Sequence, residues 1–150
     1  MKLGGWSNHT GKNGDLYDYN ENHKGFGFEA SWAWKKSSFG TRAGFWLMND
    51  SNNNRQTNVG IGLYKRWQFK KTLMEAIDLN ISLDYIRHTD RVKNFYTKKT
   101  VSIEQMSGFI IYPYMTYHFT KNIHADFMYL PKKLSGLTVN VFFWRLGYRF

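Results

Sequence analysis

Three residues of this chain have the makings of an acyl-transfer site. His9 lies in "WSNHT", and Asp50 and Ser51 are adjacent in "MNDSNNN". An imidazole can act as base, a hydroxyl as nucleophile or oxyanion donor, and a carboxylate can orient the imidazole. Which of its two jobs Ser51 would take is open at this level. His23, just after "YNE", is the rival for the place of His9. The bland reading is real, because Asn, Asp and Ser are turn formers and "NDSNNN" can be a plain turn. There is no cysteine, so thiolate chemistry and thiolate metal sites are excluded. No metal and no cofactor are expected. Whether His9 and Ser51 meet depends on the elements that carry them.

Those elements are strands. In "KGFGFEASWAWKK", Phe26, Phe28, Ala30, Trp32 and Trp34 share one face, and Gly25, Gly27, Glu29, Ser31 and Ala33 the other. In "EAIDLNISLDYIRH", Ile77, Leu79, Ile81, Leu83 and Tyr85 oppose Asp78, Asn80, Ser82 and Asp84. Period-two alternation recurs along the chain, and a helical period is nowhere convincing. Eight strands are expected within one domain spanning 1–150. Long polar connections tend to follow the odd strands and short ones the even strands, the longest being "TDRVKNFYTKKTVSIEQ" after the fifth. That is the asymmetry of an antiparallel up-and-down β-barrel. His9 would end strand one, and Asp50 and Ser51 would end strand three. Both ends lie on the same rim, about 10 Å apart at two strand spacings.

Composition narrows the setting. Aromatic residues make up 19% of the chain, too many for a disordered one. No apolar run reaches about 18 residues, so a transmembrane helix is excluded, but alternating strands of about 9–11 residues still cross a bilayer. Alternation alone does not say which face is inside. The glycines do: Gly25, Gly27, Gly44, Gly60, Gly62 and Gly108 mostly oppose large apolar rows. An eight-stranded barrel has little interior room, so the small residues should point in and the large ones out, toward lipid. Met1 and Lys2 lead directly into "LGGW" with no apolar signal-peptide core. Two expectations follow: a cytoplasmic protein, or a mature form with an added methionine. The net charge of +10 favours anionic partners. The basic residues are spread over loops at one end rather than along an aromatic-lined groove, so nucleic acid is not expected.

The closing "VNVFFWRLGYRF" puts Phe142, Trp144, Leu146, Tyr148 and Phe150 on one face. It resembles the terminal sorting signal of outer-membrane barrels. Further fragments, in order along nearly the whole chain, resemble the PagP family of lipid A palmitoyltransferases: "WSNH", "YNE", "GFGFE", "NDS", "VGIGLYKRW", "IIYPYM", "MYLP" and "FFWRLGYRF". The amphipathic helix that precedes the barrel in that family has no counterpart here. The resemblance implies an eight-stranded transmembrane barrel, monomeric, in the bacterial outer membrane. It would move a palmitoyl-like chain from a phospholipid donor to a lipid A acceptor, with His9, Asp50 and Ser51 as site residues. It also implies an acyl well with Gly62 at its floor as a hydrocarbon ruler. Gly60, Met128, Val139, Val141 and Phe143 are expected to line that well, above a charged plug of Glu29, Arg42, Arg145 and Arg149.

Pro113 and Pro131 cannot donate ladder hydrogen bonds, and a closed barrel has no edge on which to place them. A local gap in pairing on strands six and seven is expected, which in the family admits lipid sideways; Pro131 can also simply end its strand. Lys12, Arg55, Arg91, Lys93, Lys98, Lys99, Lys132 and Lys133 are expected to meet lipid A phosphates. The alternatives are a non-catalytic outer-membrane barrel such as an adhesin or surface-shielding protein, a lipid A deacylase, and a soluble barrel carrying a fatty acid.

Overall fold

Alternation becomes strand wherever both backbone edges find partners. The structure, a computed structural model, describes residues 1–10, 19–69, 74–93, 100–131 and 140–150, with 91–93 and 100 as backbone only. The strands are β1 (Lys2–Thr10), β2 (Asn22–Ala33), β3 (Phe39–Asn49), β4 (Arg55–Gln68), β5 (Ala76–Lys93), β6 (Thr100–His118), β7 (Ile123–Leu130) and β8 (Asn140–Tyr148). Each pairs antiparallel with its neighbour in sequence. β1 closes on β8, from Lys2↔Gly147 to Thr10↔Asn140, to give an eight-stranded antiparallel up-and-down barrel. The rim formed where β1, β3, β5 and β7 end is called the upper rim below.

The large apolar faces point outward. Phe26, Phe28, Trp32, Ile61, Leu63, Leu79, Ile81, Leu83, Phe142, Trp144 and Leu146 are all exposed, while Asp78, Asn80, Ser82 and Asp84 are buried. Aromatic residues crowd the lower end of this outer surface: Trp32, Trp34, Phe39, Trp67 and Phe119. Lys65 lays its ammonium over the Phe39 and Trp67 rings, 5.4 and 5.0 Å from their centroids.

The inward face of the lower half is a polar plug. Arg66 grips Asp78 with two hydrogen bonds of 2.7 Å, and Arg42 and His118 reach the same carboxylate at 3.1 and 2.9 Å. Arg42 also pairs with Glu29 at 3.2 Å, and Glu29 with Lys2 at 2.9 Å. Asp126 accepts from Lys2, from Arg145 Nε at 2.8 Å and from the Thr116 hydroxyl at 2.7 Å. Asp84 is held by the hydroxyls of Tyr112 and Ser82. Lys2, Arg42, Arg66 and Arg145 thus face Glu29, Asp78, Asp84 and Asp126. A sealed lumen tolerates charge when it is matched and hydrogen-bonded in this way.

Four expectations need correcting. The segment after the fifth strand is mostly strand: β5 and β6 continue pairing to Lys93↔Thr100, whereas β4 leaves β5 at Thr57↔Arg87. The two strands therefore run on as a hairpin for about 20 Å above the rim. On this stretch each strand pairs along one edge alone, and the apolar alternation shrinks to Val101 and Ile103 of β6. Arg149 is not in the plug; it lies beyond β8, exposed, exchanging hydrogen bonds of 2.7 Å with Asn122. Gly108 is exposed, and a side chain there would meet nothing within 4 Å, so it makes no interior room. Pro131 follows the last residue of β7 and ends that strand rather than interrupting it.

Pro113 does mark a break. It pairs with Ile81 of β5 on one side, but β6–β7 pairing begins only at Tyr114↔Met128. Tyr129 and Leu130 pair with β8 and have no ladder partner on β6. Phe109, 76% exposed, and Ile111 flank this break on the outer surface.

Replacing Asp126 with Ala should destabilise the barrel by about 3–5 kcal/mol, because it strands Lys2 and Arg145 in the lumen. Urea unfolding in detergent, followed by tryptophan fluorescence, measures this. A loss below about 1 kcal/mol, the level of an exposed pair, would mean the plug is hydrated and its pairs screened.

Candidate functional site

A slip in register aims His9 into the lumen. Lys2 and His9 are an odd number of residues apart, so on a regular strand they would face opposite sides. Both point inward because β1 carries a bulge: its registers with β2 and with β8 shift between Leu3 and Trp6. The bulge uses Gly4 and Gly5 at φ of 83° and 97°, and a side chain on Gly4 would collide with the Trp6 ring. Above it, Ser7 and His9 line the interior while Asn8 turns out.

Ser51 is brought to His9 by the loop between β3 and β4. Asp50 Oδ1 accepts from the amides of Asn52 and Asn54 at 2.8 and 2.9 Å, and its backbone exchanges hydrogen bonds with Asn53 and Asn54. Asp50 Oδ2 accepts from the Thr89 amide at 2.8 Å and from its hydroxyl, tying the loop to β5. Asn52 Nδ2 donates to the Thr89 carbonyl at 3.0 Å. From the other side, the Asn20 amide donates to Ser51 O at 2.9 Å and Asn20 Nδ2 to Asp50 O at 3.1 Å.

The result is a contact of 3.0 Å between His9 Nε2 and Ser51 Oγ. His9 Nδ1 is buried without a hydrogen-bond partner and lies 3.7 Å from Glu21 Oε1. Tyr19 stacks on the imidazole, with centroids 4.3 Å apart. The structure therefore brings His9 and Ser51 together but sends Asp50 elsewhere: its carboxylate caps its own loop and does not touch His9. Among the described residues, Glu21 is the carboxylate that comes within ion-pair distance of the ring. Glu21, Tyr19, Asn20 and Thr89 were not singled out from sequence; three of them form the "YNE" fragment, the only available signal. His23 is occupied elsewhere, with Nδ1 donating to Asn49 O at 2.6 Å and Nε2 accepting from Ser7 Oγ at 2.7 Å. It braces β1, β2 and β3 against one another.

His9 and Ser51 sit at the mouth of a cavity of about 450 Å³ filling the upper lumen. Its walls include Met48, Ile86, Ile110, Met128, Val141 and Phe143. Trp46, Asn58, Tyr112 and Arg145 form its floor, since they also line the small void beneath, beside Lys2, Glu29 and Arg42. The tightness of Gly25 serves this floor, as a side chain there would run into the Trp46 ring. Met128, Val141 and Phe143 thus line the cavity, as the alternation on their strands expects. Gly60 and Gly62 do not. They lie below it, Gly60 against Asp84 and Gly62 against Arg42 and the Ile81 carbonyl. The closing shear of the barrel, which sets this depth, is not written in one strand. Val139 lies outside the described residues, as do Lys12, Lys98, Lys99, Lys132 and Lys133. Arg55 is exposed at the upper rim, and Arg91 and Lys93 lie on the projecting hairpin. Pro113 and the β6–β7 break stand beside the cavity, between Ile110 and Tyr112 on one side and Met128 and Leu130 on the other.

Chemically, this arrangement can take the Ser51 proton onto His9 Nε2 as Oγ attacks a carbonyl, with the Glu21 carboxylate 3.7 Å from Nδ1. Asp50 acts as a positioning residue through its loop. No known family model matches the chain, and no curated protein matches it. Among solved structures, it is similar to the attachment invasion locus protein, Ail, of Yersinia pestis, determined in complex with the heparin analogue sucrose octasulfate. That likeness has a TM-score of 0.46 and 14% identity, covering 99% of this chain and 95% of the other. At that level the comparison says nothing of activity.

Asp50→Ala should raise the amide exchange rates of Asn52 and Asn54 by about tenfold, as each loses a charge-assisted bond, while strand amides stay protected. Unchanged exchange at these two amides would show that the carboxylate does not hold the loop.

Proposed function

We propose that this chain is an integral barrel of the bacterial outer membrane that moves a fatty acyl chain from a glycerophospholipid to lipid A. The observation that carries the proposal is the His9 Nε2–Ser51 Oγ contact of 3.0 Å at the mouth of an apolar-walled cavity. The membrane setting is supported by the outward belt of exposed aromatic and aliphatic side chains, which is far larger than a soluble monomer leaves in water. Sideways access for lipid is supported by the ladder break at Pro113, which opens toward the same cavity. The acyl donor and acceptor come from the resemblance to the PagP family.

In this reading the donor's acyl chain enters between β6 and β7 and extends down the cavity, leaving its ester carbonyl at the mouth. Ser51 Oγ attacks that carbonyl as His9 accepts its proton, and the lysophospholipid leaves as the proton returns. The lipid A hydroxyl then attacks the acyl-enzyme, giving its proton to His9, and Ser51 Oγ leaves the acyl carbon and takes that proton back. With lipid A as the donor and water as the acceptor, the same residues would make a lipid A deacylase. A second reading, a barrel with no catalysis, is favoured by one specific observation: no carboxylate among the described residues hydrogen-bonds the His9 ring, since Asp50 is engaged by Asn52, Asn54 and Thr89, and Glu21 stands 3.7 Å from Nδ1.

Protein refolded in detergent and incubated with acyl-labelled phospholipid and lipid A should yield labelled lipid A on thin-layer chromatography. Ser51→Ala should reduce transfer by about 10³-fold or more, the scale on which removing a nucleophile acts. Unlabelled lipid A from well-folded wild-type protein would leave the non-catalytic reading standing, labelled free fatty acid would show hydrolysis of the donor instead of transfer, and loss of an acyl chain from lipid A would identify a lipid A deacylase.

A further inference from the structure

The cavity's floor does not suit the end of a plain hydrocarbon chain. Arg145 is 7% exposed and inward-facing. Its Nε is spent on Asp126, while Nη1 and Nη2 have no hydrogen-bond partner among the described residues, and the side chain forms part of the floor. The guanidinium carbon lies over the Trp46 ring, 4.9 Å from its centroid. Asn58 turns its oxygen to Gln56 Nε2 at 2.8 Å, which leaves its amide donors to the cavity. The Tyr112 hydroxyl already donates to Asp84 and has only lone pairs left. The floor is therefore rich in unused donors, one of them cationic, beneath apolar walls.

A terminal methyl pressed onto this floor would strip water from those donors and give them nothing in return. An occupant carrying a carboxylate at its inner end would satisfy them, because a guanidinium fork matches a carboxylate with two parallel hydrogen bonds. Val141 pairs with His9 across the ladder, and Arg145 lies four residues further down the same strand, about 13 Å below the mouth at 3.3 Å per residue. This depth calls for a chain of moderate length spanning mouth to floor.

We propose that the cavity selects an acyl chain bearing a carboxylate at its far end, with Arg145 as the specificity-determining residue and Asn58 as its helper. The proposal rests on the reading that the cavity takes an acyl chain from its mouth downward, but it does not depend on turnover by His9 and Ser51. The acyl group's carbonyl stays at the mouth, and its distal carboxylate replaces water at the Arg145 fork.

The test is equilibrium binding to the full chain held in amphipol, by titration calorimetry, with two probes of equal length: methyl decanoate and the monomethyl ester of decanedioic acid. The acid-bearing ester should bind about tenfold more tightly, the worth of one charge-assisted fork. In Arg145→Met this preference should vanish while methyl decanoate still binds, which also reports that the cavity remains folded. Should that variant fail to fold, Arg145→Lys retains a charge beside Asp126 but not the fork, and the preference should fall by at least half. Filling the cavity with Met128→Trp should abolish binding of both esters. Equal affinities in the wild-type protein, or a preference that survives Met128→Trp, overturns the assignment of Arg145. Failure of both esters to bind overturns the acyl-cavity reading itself.

Discussion

Everything in this molecule follows from the strict two-sidedness of a strand in a closed ring. Each side chain faces either the lumen or the surroundings, and closure leaves no edge on which to place an exception. The outward face between the rims is aromatic and aliphatic, which leaves Lys2, Arg42, Asp78, Asp84, Asp126 and Arg145 facing the lumen. In a narrow eight-stranded lumen these cannot all reach water. They must satisfy one another, and the Lys2–Glu29–Arg42–Asp78–Arg66 chain and the Lys2–Asp126–Arg145 cluster do so. The plug is the consequence of the outer belt, and it provides a firm base on which the upper lumen can stay open.

The upper lumen departs from that regularity at two places, and both serve the site. The Gly4–Gly5 bulge changes the phase of β1, so that a strand beginning with an inward lysine in the plug ends with an inward histidine at the mouth. The shortfall of pairing above Tyr114 leaves β6 and β7 apart beside the cavity. A bulge and a ladder break each sacrifice backbone hydrogen bonds. Their position beside the His9–Ser51 contact argues for a functional origin.

Much of this was legible in the sequence. Strand count, strand direction, which face points out and the shared rim of His9 and Ser51 all follow from period two and the placement of glycines. Met128, Val141 and Phe143 follow from the same alternation. What was not legible depends on distances across the barrel. Asp50 stands next to Ser51 in sequence, yet its oxygens are taken by amides of its own turn and by Thr89, thirty-nine residues away. Glu21 reaches His9 from just ahead of β2, where the sequence has no period. Gly60 and Gly62 were placed at the correct face but the wrong depth, because depth is set by the stagger of all eight strands together. The β5–β6 hairpin was hidden because a strand pair standing free of a third layer needs no hydrophobic alternation.

The central claim is that Ser51 is an activated hydroxyl at the entrance to a lipid-chain cavity. Reaction with a long-chain alkyl fluorophosphonate, followed by peptide mass spectrometry, addresses it without requiring the natural donor or acceptor. The account predicts one adduct per chain, on Ser51, that is lost when His9 is replaced by Asn and is slowed when Met128→Trp fills the cavity. No adduct on folded protein, or adducts scattered over Thr10, Ser51 and Thr89 alike, would contradict it.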